Sequence, residues 1–169
     1  MYESVRIQNF RGFADLTVDG LTRVNLIVGM NDVGKTALLE ALFLLAGQGN
    51  PELALRMNQW RALPVPQAGA GRVFDNLFHA FRTDNAFVLG GNRPEGVADT
   101  LQGQVVPIGA NTVLLGEMSE SGDDDGQTLT FLGGDALEVR WQRGHTEPRI
   151  AHARFFRETR RSETSFGMK

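Results

Sequence analysis

The stretch NLIVGMNDVGKTALLEAL, residues 25–42, decides how the chain is read. Its lead-in, RVNLIV at 23–28, is apolar apart from Arg23 and Asn25 and predicts a strand buried on both faces. GMNDVGKT follows and satisfies G-x-x-x-x-G-K-[ST] at Gly29, Gly34, Lys35 and Thr36. A helix is then expected from about Thr36 to Ala46, with Leu38, Ala41, Leu42 and Leu45 on one face. Gly47 and Gly49 end it.

Strand, glycine-bounded loop and helix form a phosphate cradle. Gly29 and Gly34 allow backbone angles and a close approach that a Cβ would block. The loop amides and the positive end of the helix dipole then face an anion. Lys35 reaches the β- and γ-phosphates as a point charge, and Thr36 offers its hydroxyl to Mg²⁺. Of 17 basic residues 15 are arginine, so lysine at this position stands out against the chain's own usage. Asp32 inside the loop would repel a phosphate, so its side chain is expected to face solvent or bond to nearby amides.

Working outward, SVRIQNF (4–10) alternates Val5, Ile7 and Asn9 against Arg6, Gln8 and Phe10, as a half-buried strand does. ADLTV (14–18) is a second strand after a turn at Gly12. NPELALRMNQWRAL (50–63) opens a helix with Asn50 as cap and Pro51 in the first turn. VFDNLFHAF (73–81) predicts a short helix with Phe74, Leu77, Phe78 and Phe81 on one face. From residue 86 onward AFVLGG, LQGQVVPI, NTVLLGEM, QTLTFLGG, ALEVRWQR and RIAHARFF recur at hairpin spacing and predict an antiparallel sheet.

The 169 residues suffice for one domain with a core, and the net charge of −3 argues against a surface that coats nucleic acid. The absence of cysteine excludes disulfides and thiolate metal sites and fits a cytoplasmic protein. The N-terminus has no signal-peptide pattern, and the apolar run at 37–46 is too short to span a bilayer and contains Glu40. No membrane association is expected.

IQNFRGF at 7–13, followed by NLIVGMNDVGKTALLEAL, resembles the N-terminal lobe of ABC-type ATPases of the RecF, SMC and OLD group, OLD-like AAA family ATPases in particular. The likeness is strong over residues 4 to 63 and extends to about 82. It implies an α/β fold of mixed α+β character: a P-loop NTPase first lobe with a mixed sheet, the P-loop helix and an antiparallel β subdomain. Residues 1–49 would carry the strands, P-loop and helix. Residues 50–82 would form a helical insert, 83–160 the antiparallel region and 161–169 a tail. The resemblance implies that Gly29, Asn31, Gly34, Lys35 and Thr36 bind ATP and Mg²⁺, with Thr36 on the metal and Arg11 near the nucleotide. The complete protein would hydrolyse ATP in a dimer and act in DNA repair or phage defence. Partners would be ATP, DNA through the complete protein, and a second copy or a C-terminal lobe.

The hydrolytic half is not visible. TVLLGEM (112–118) has an apolar run but Gly116 before Glu117, and Asp19 follows too short a run, so neither makes a Walker B strand. FLGGD (131–135) shares only paired glycines with the ABC signature, and Gln142 reads as a strand residue. No catalytic residue is assigned, and the chain reads as the first lobe of a longer ATPase. The alternative is a non-catalytic protein- or nucleic-acid-binding module that keeps the loop as structure. An N-K-x-D guanine motif is absent, since lysine occurs only at 35 and 169. Asp123 to Asp125 match no EF-hand spacing, and His79, His145 and His152 form no ligand pair in sequence. RFFRETRR (154–161) interleaves aromatics and arginines, which could touch nucleic-acid phosphates, but in an acidic chain it reads rather as a strand running into a charged loop.

Overall fold

The computed structural model describes residues 1–61, 74–108 and 134–154. Six strands form one sheet in the order β2-β1-β3-β4-β5-β6: β1 Ser4–Phe10, β2 Phe13–Asp19, β3 Phe87–Asn92, β4 Ala98–Ile108, β5 Gly134–Arg143 and β6 Arg149–Arg154. Every pairing is antiparallel. The leading strands and the later hairpins thus share a single sheet, with β1 lying between β2 and β3. Among the described residues this replaces the expected mixed sheet. NTVLLGEM, QTLTFLGG, the acidic run at 123–125 and most of RFFRETRR lie outside the described residues.

One face of the sheet is covered. Helix α1 (Lys35–Ala46) packs on β1, β3 and β4, and α2 (Glu52–Trp60) packs on α1 and β6. Val5, Ile7, Leu89, Leu101, Leu137 and Val139 point into this core. Arg6, Gln102, Gln104 and Arg140 lie on the opposite, solvated face, the usual division for an antiparallel sheet. No described helix is long and apolar enough to cross a membrane.

Four local expectations are corrected. Strict alternation placed Phe10 with Arg6 and Gln8, but Phe10 is fully buried. Asn9 and Arg11 take left-handed backbone angles (φ 51° and 52°), which breaks the period-2 pattern and turns Phe10 inward. The Asn9 amide then donates to the Asn85 carbonyl at 2.8 Å, which Phe10 could not do. In α1 the buried face is Ala37, Glu40, Ala41, Leu44 and Leu45, while Leu38 and Leu42 are only half-buried. The helix is rotated to bring Glu40 inward. Segment 73–81 is not one helix: two 3-10 turns, Asp75–Leu77 and His79–Phe81, flank an extended Phe78 that bridges to Phe10. Phe74, Leu77 and Phe78 are buried, but Phe81 is exposed.

The largest correction concerns 23–28. It pairs with no described strand, and Val24, Leu26 and Val28 are exposed at 87%, 87% and 75%. The apolar run has the composition of a doubly buried strand, but no described element flanks it on either side.

At the core, the Phe87 ring meets Phe10 and Phe78 edge-on at centroid distances of 5.2 and 5.3 Å. Gly103 pairs with Phe87 across β3 and β4, and a Cβ there would overlap that ring. Phe10 and Phe78 leave the ring little room to retreat. Gly103→Ala is therefore expected to lower unfolding free energy by about 2 kcal/mol in urea melts; an unchanged midpoint and slope would contradict this packing.

The far end of β4 is held by charge. Asp99 is fully buried and accepts from the Tyr2 hydroxyl at 2.7 Å, Arg93 Nη2 at 2.7 Å and Arg143 Nε at 2.8 Å. Burial alone would raise the Asp99 pKa, but the hydrogen bonds from Arg143, Arg93 and Tyr2 outweigh it and hold it down at about 2. Burial, with Asp99 alongside, pushes Tyr2 up to about 12. A depressed carboxylate contributes stability above its unfolded pKa and loses it as pH falls through the folded one. The two arginines are partly exposed, so the contribution is at most about 2 kcal/mol. Between about pH 4 and pH 2 the wild-type chain is expected to lose this amount beyond what Asp99→Asn loses. Parallel stability–pH curves for the two proteins would contradict the assignment.

Candidate functional site

α1 begins where the glycine loop ends. Gly34 caps the helix at φ 96° in the left-handed region, and its carbonyl accepts from Leu38 N at 2.9 Å. A side chain there would be strained in backbone and would also meet Phe13 Cζ at 2.7 Å, so glycine is required twice over. Lys35 Nζ donates to the carbonyls of Gly29 (2.9 Å) and Met30 (2.6 Å), folding the loop around its ammonium. Asp32 is exposed, as expected, at φ 63°.

Beside this helix N-terminus lies a cavity of about 610 Å³, within the range of small-molecule sites. Of the sequence-derived candidates it brings together Arg11, Asn31, Gly34, Lys35 and Thr36 in its lining, with Asp32. Gly29 does not line it but is joined to it through Lys35. Arg61, Asn76, Phe78, Ala80 and Phe81 also line it, none of which the phosphate-loop motif points to.

Glu40 holds these parts together. Its carboxylate is buried, with Arg61 Nε at 2.6 Å from Oε1 and Arg61 Nη2 at 3.0 Å from Oε2. Arg11 Nε lies 3.1 Å from Oε2, close enough for charge attraction though misaligned for a hydrogen bond. Arg11 also donates to the Asn76 carbonyl (2.9 Å) and to Asn58 Oδ1 (3.3 Å). The two guanidinium groups respond differently to the same carboxylate. Burial drives the Arg11 pKa below its usual range despite Glu40, with Arg61 adding repulsion. Arg61, more exposed and doubly hydrogen-bonded to Glu40, is raised. Arg11 stays a cation in either case.

Arg11 is thus buried at the end of β1, its side chain 7% exposed. The signal for Glu40 was present in the sequence as one acid within the apolar run at 37–46. Arg61 and Asn76 gave none, because their roles depend on how α2 and the 3-10 turns meet α1. The other candidates disperse. Gln142 donates to the Thr146 carbonyl in the β5–β6 turn, Asp19 pairs with Ser4 at a strand end, and His152 sits 3.3 Å from Glu138. Among the described residues no acidic or histidine cluster suits a metal ion.

The family described as AAA ATPase domain matches residues 1–88, just over half of the chain. A protein of Helicobacter pylori named ATP/GTP phosphatase is 50% identical over 48 residues, 28% of this chain and 13% of that protein. The DNA replication and repair protein RecF of Heliobacterium modesticaldum is 39% identical over 61 residues, 35% of this chain and 16% of its own length. An uncharacterized protein of Methanocaldococcus jannaschii is 43% identical over 51 residues, 29% and 23% of the two chains. The matched region thus spans less than a quarter of the length of each of these relatives.

Removing Glu40 would leave Arg11 buried without its counter-charge. Glu40→Gln is expected to cost about 3 kcal/mol in chemical denaturation. A loss below about 1 kcal/mol would mean that the cluster does not tie α1, α2 and the Arg11 turn together.

Proposed function

The chain belongs to the AAA ATPase domain family, and from that premise we propose that residues 29–36 cradle the triphosphate of ATP. The observation that carries this reading is the convergence of Lys35, Thr36, Asn31 and Arg11 on one cavity at the N-terminus of a 12-residue helix. The Lys35 ammonium would exchange the Gly29 and Met30 carbonyls for β- and γ-phosphate oxygens, and the free amides at the start of α1 would face the same charge. Thr36 would hold Mg²⁺, which neutralises developing charge on the phosphates when bound. The donor set suits a phosphate chain. The nearby carboxylates are less suited to a metal, because Glu40 is taken up by two arginines and Asp32 is in the loop itself.

We further propose that this chain supplies one lobe of an OLD/RecF-like ATPase, with 1–49 as its nucleotide unit, 50–82 as an insert and 83–160 as the antiparallel region. The exposed apolar side chains of Val24, Leu26, Val28 and Met30, with Leu39, Phe43 and Trp60, support it. Exposed apolar side chains in this number favour a covering layer. Hydrolysis, a dimer or second lobe, and action on DNA in repair or phage defence belong to that complete assembly. RecF, named for DNA replication and repair, is the relative that motivates the DNA part. A second reading is a binding module in which the loop is structural; the Lys35 ammonium, held by the Gly29 and Met30 carbonyls of its own loop, favours it.

With ATP–Mg²⁺ at about 100 times its dissociation constant, the stabilisation is expected to be about 2.7 kcal/mol, a melting-temperature rise of a few degrees that Lys35→Ala abolishes. Equal melting temperatures with and without ATP–Mg²⁺ would favour the structural loop. Sustained phosphate release by the purified 169-residue chain would contradict the assignment of hydrolysis to a larger assembly.

A further inference from the structure

The phosphate-loop residues account for only part of the cavity lining. The lining also holds Phe81, an aromatic residue 71% exposed in a chain that buries Phe10, Phe74, Phe78 and Phe87. Phe81 makes no ring–ring contact among the described residues. Its backbone is held in the left-handed region, φ 59°, directly after Ala80 at φ 51°. Two successive non-glycine residues in that region are costly, and such strain persists where the surroundings enforce it. Here they do. Phe81 N donates to the Phe78 carbonyl (3.2 Å) and Arg82 N to the His79 carbonyl (3.1 Å). His79 Nδ1 lies 3.2 Å from the Arg11 carbonyl, and Arg11 N donates to the Leu77 carbonyl at 2.8 Å. The turn is thus fastened to the same Arg11 that Glu40 holds against α1.

A rigid, exposed aromatic ring lining the same cavity as Lys35 and Thr36 is what a flat heterocycle fits.

We propose that Phe81 is the stacking platform for the nucleobase of the bound nucleotide. This rests on the phosphate-loop reading above and assigns the other end of the same ligand. Phe81 acts through its π-face, so the platform distinguishes a nucleotide from a bare polyphosphate.

Competition of ATP–Mg²⁺ and tripolyphosphate–Mg²⁺ against a fluorescent ATP analogue on the 169-residue chain separates the two ends. Phe81→Ala is expected to weaken ATP about ten-fold while leaving tripolyphosphate within two-fold, and Phe81→Trp is expected to restore ATP. Lys35→Ala is expected to weaken both ligands. Since Phe81 is exposed, its melting temperature without ligand serves as the folding control and is expected to be unchanged. ATP affinity unaffected by Phe81→Ala, or tripolyphosphate weakened equally, would overturn the platform while leaving the phosphate loop in place. Failure of both ligands to bind the wild-type chain would overturn the loop reading and the platform with it.

Discussion

A single buried carboxylate sets the relation between the parts. Glu40 lies on the inner face of α1 and meets Arg61 from the end of α2 and Arg11 from the β1–β2 turn. An ionised side chain removed from water is tolerated only when its charge is matched, and two guanidinium groups match it here. The consequence is geometric. With Glu40 fixed, the first turn of α1 carries Lys35 and Thr36 to a set position relative to Arg11. Arg11 in turn fixes the 3-10 turns through Asn76 and Leu77. The cavity is the space these constraints leave.

The sheet gives that cluster its frame. β1 pairs with both β2 and β3, so the Arg11 turn is attached to a strand held on two sides. Phe10 and Phe78 are brought together by a bridge directly beneath it and clasp the Phe87 ring. The Asp99 cluster does comparable work at another part of β4, remote from the cavity lining. One charge cluster therefore anchors the sheet, and the other positions the site.

Much of this was legible in sequence, and the rest was hidden for identifiable reasons. The strands at 4–10, 87–92 and 98–108 and both helices follow from local alternation, capping and turn residues. Asn50 Oδ1 accepts from Glu52 N at 3.0 Å, although the capping position itself is Pro51, one residue later than expected. The candidate loop residues stand out in sequence because the phosphate-loop motif has a fixed spacing. Phe10 was misplaced because a positive φ at Asn9 defeats a two-residue period, and composition alone does not reveal that. The run at 23–28 has the composition of a buried strand, but burial needs neighbours, and none of the described strands pairs with it. Arg61, Asn76 and Phe81 reach the cavity through tertiary contacts, which no window of sequence encodes.

The central claim is that one ligand spans the loop at 29–36 and the turn at 75–81. Amide hydrogen exchange of the 169-residue chain, with and without ATP–Mg²⁺, tests it most directly, because exchange reports local opening segment by segment. Coincident slowing in peptides covering 29–36 and 75–82, with β5 and β6 unchanged, is the expected result. Unchanged exchange in the 29–36 peptides at saturating ATP–Mg²⁺ would contradict it.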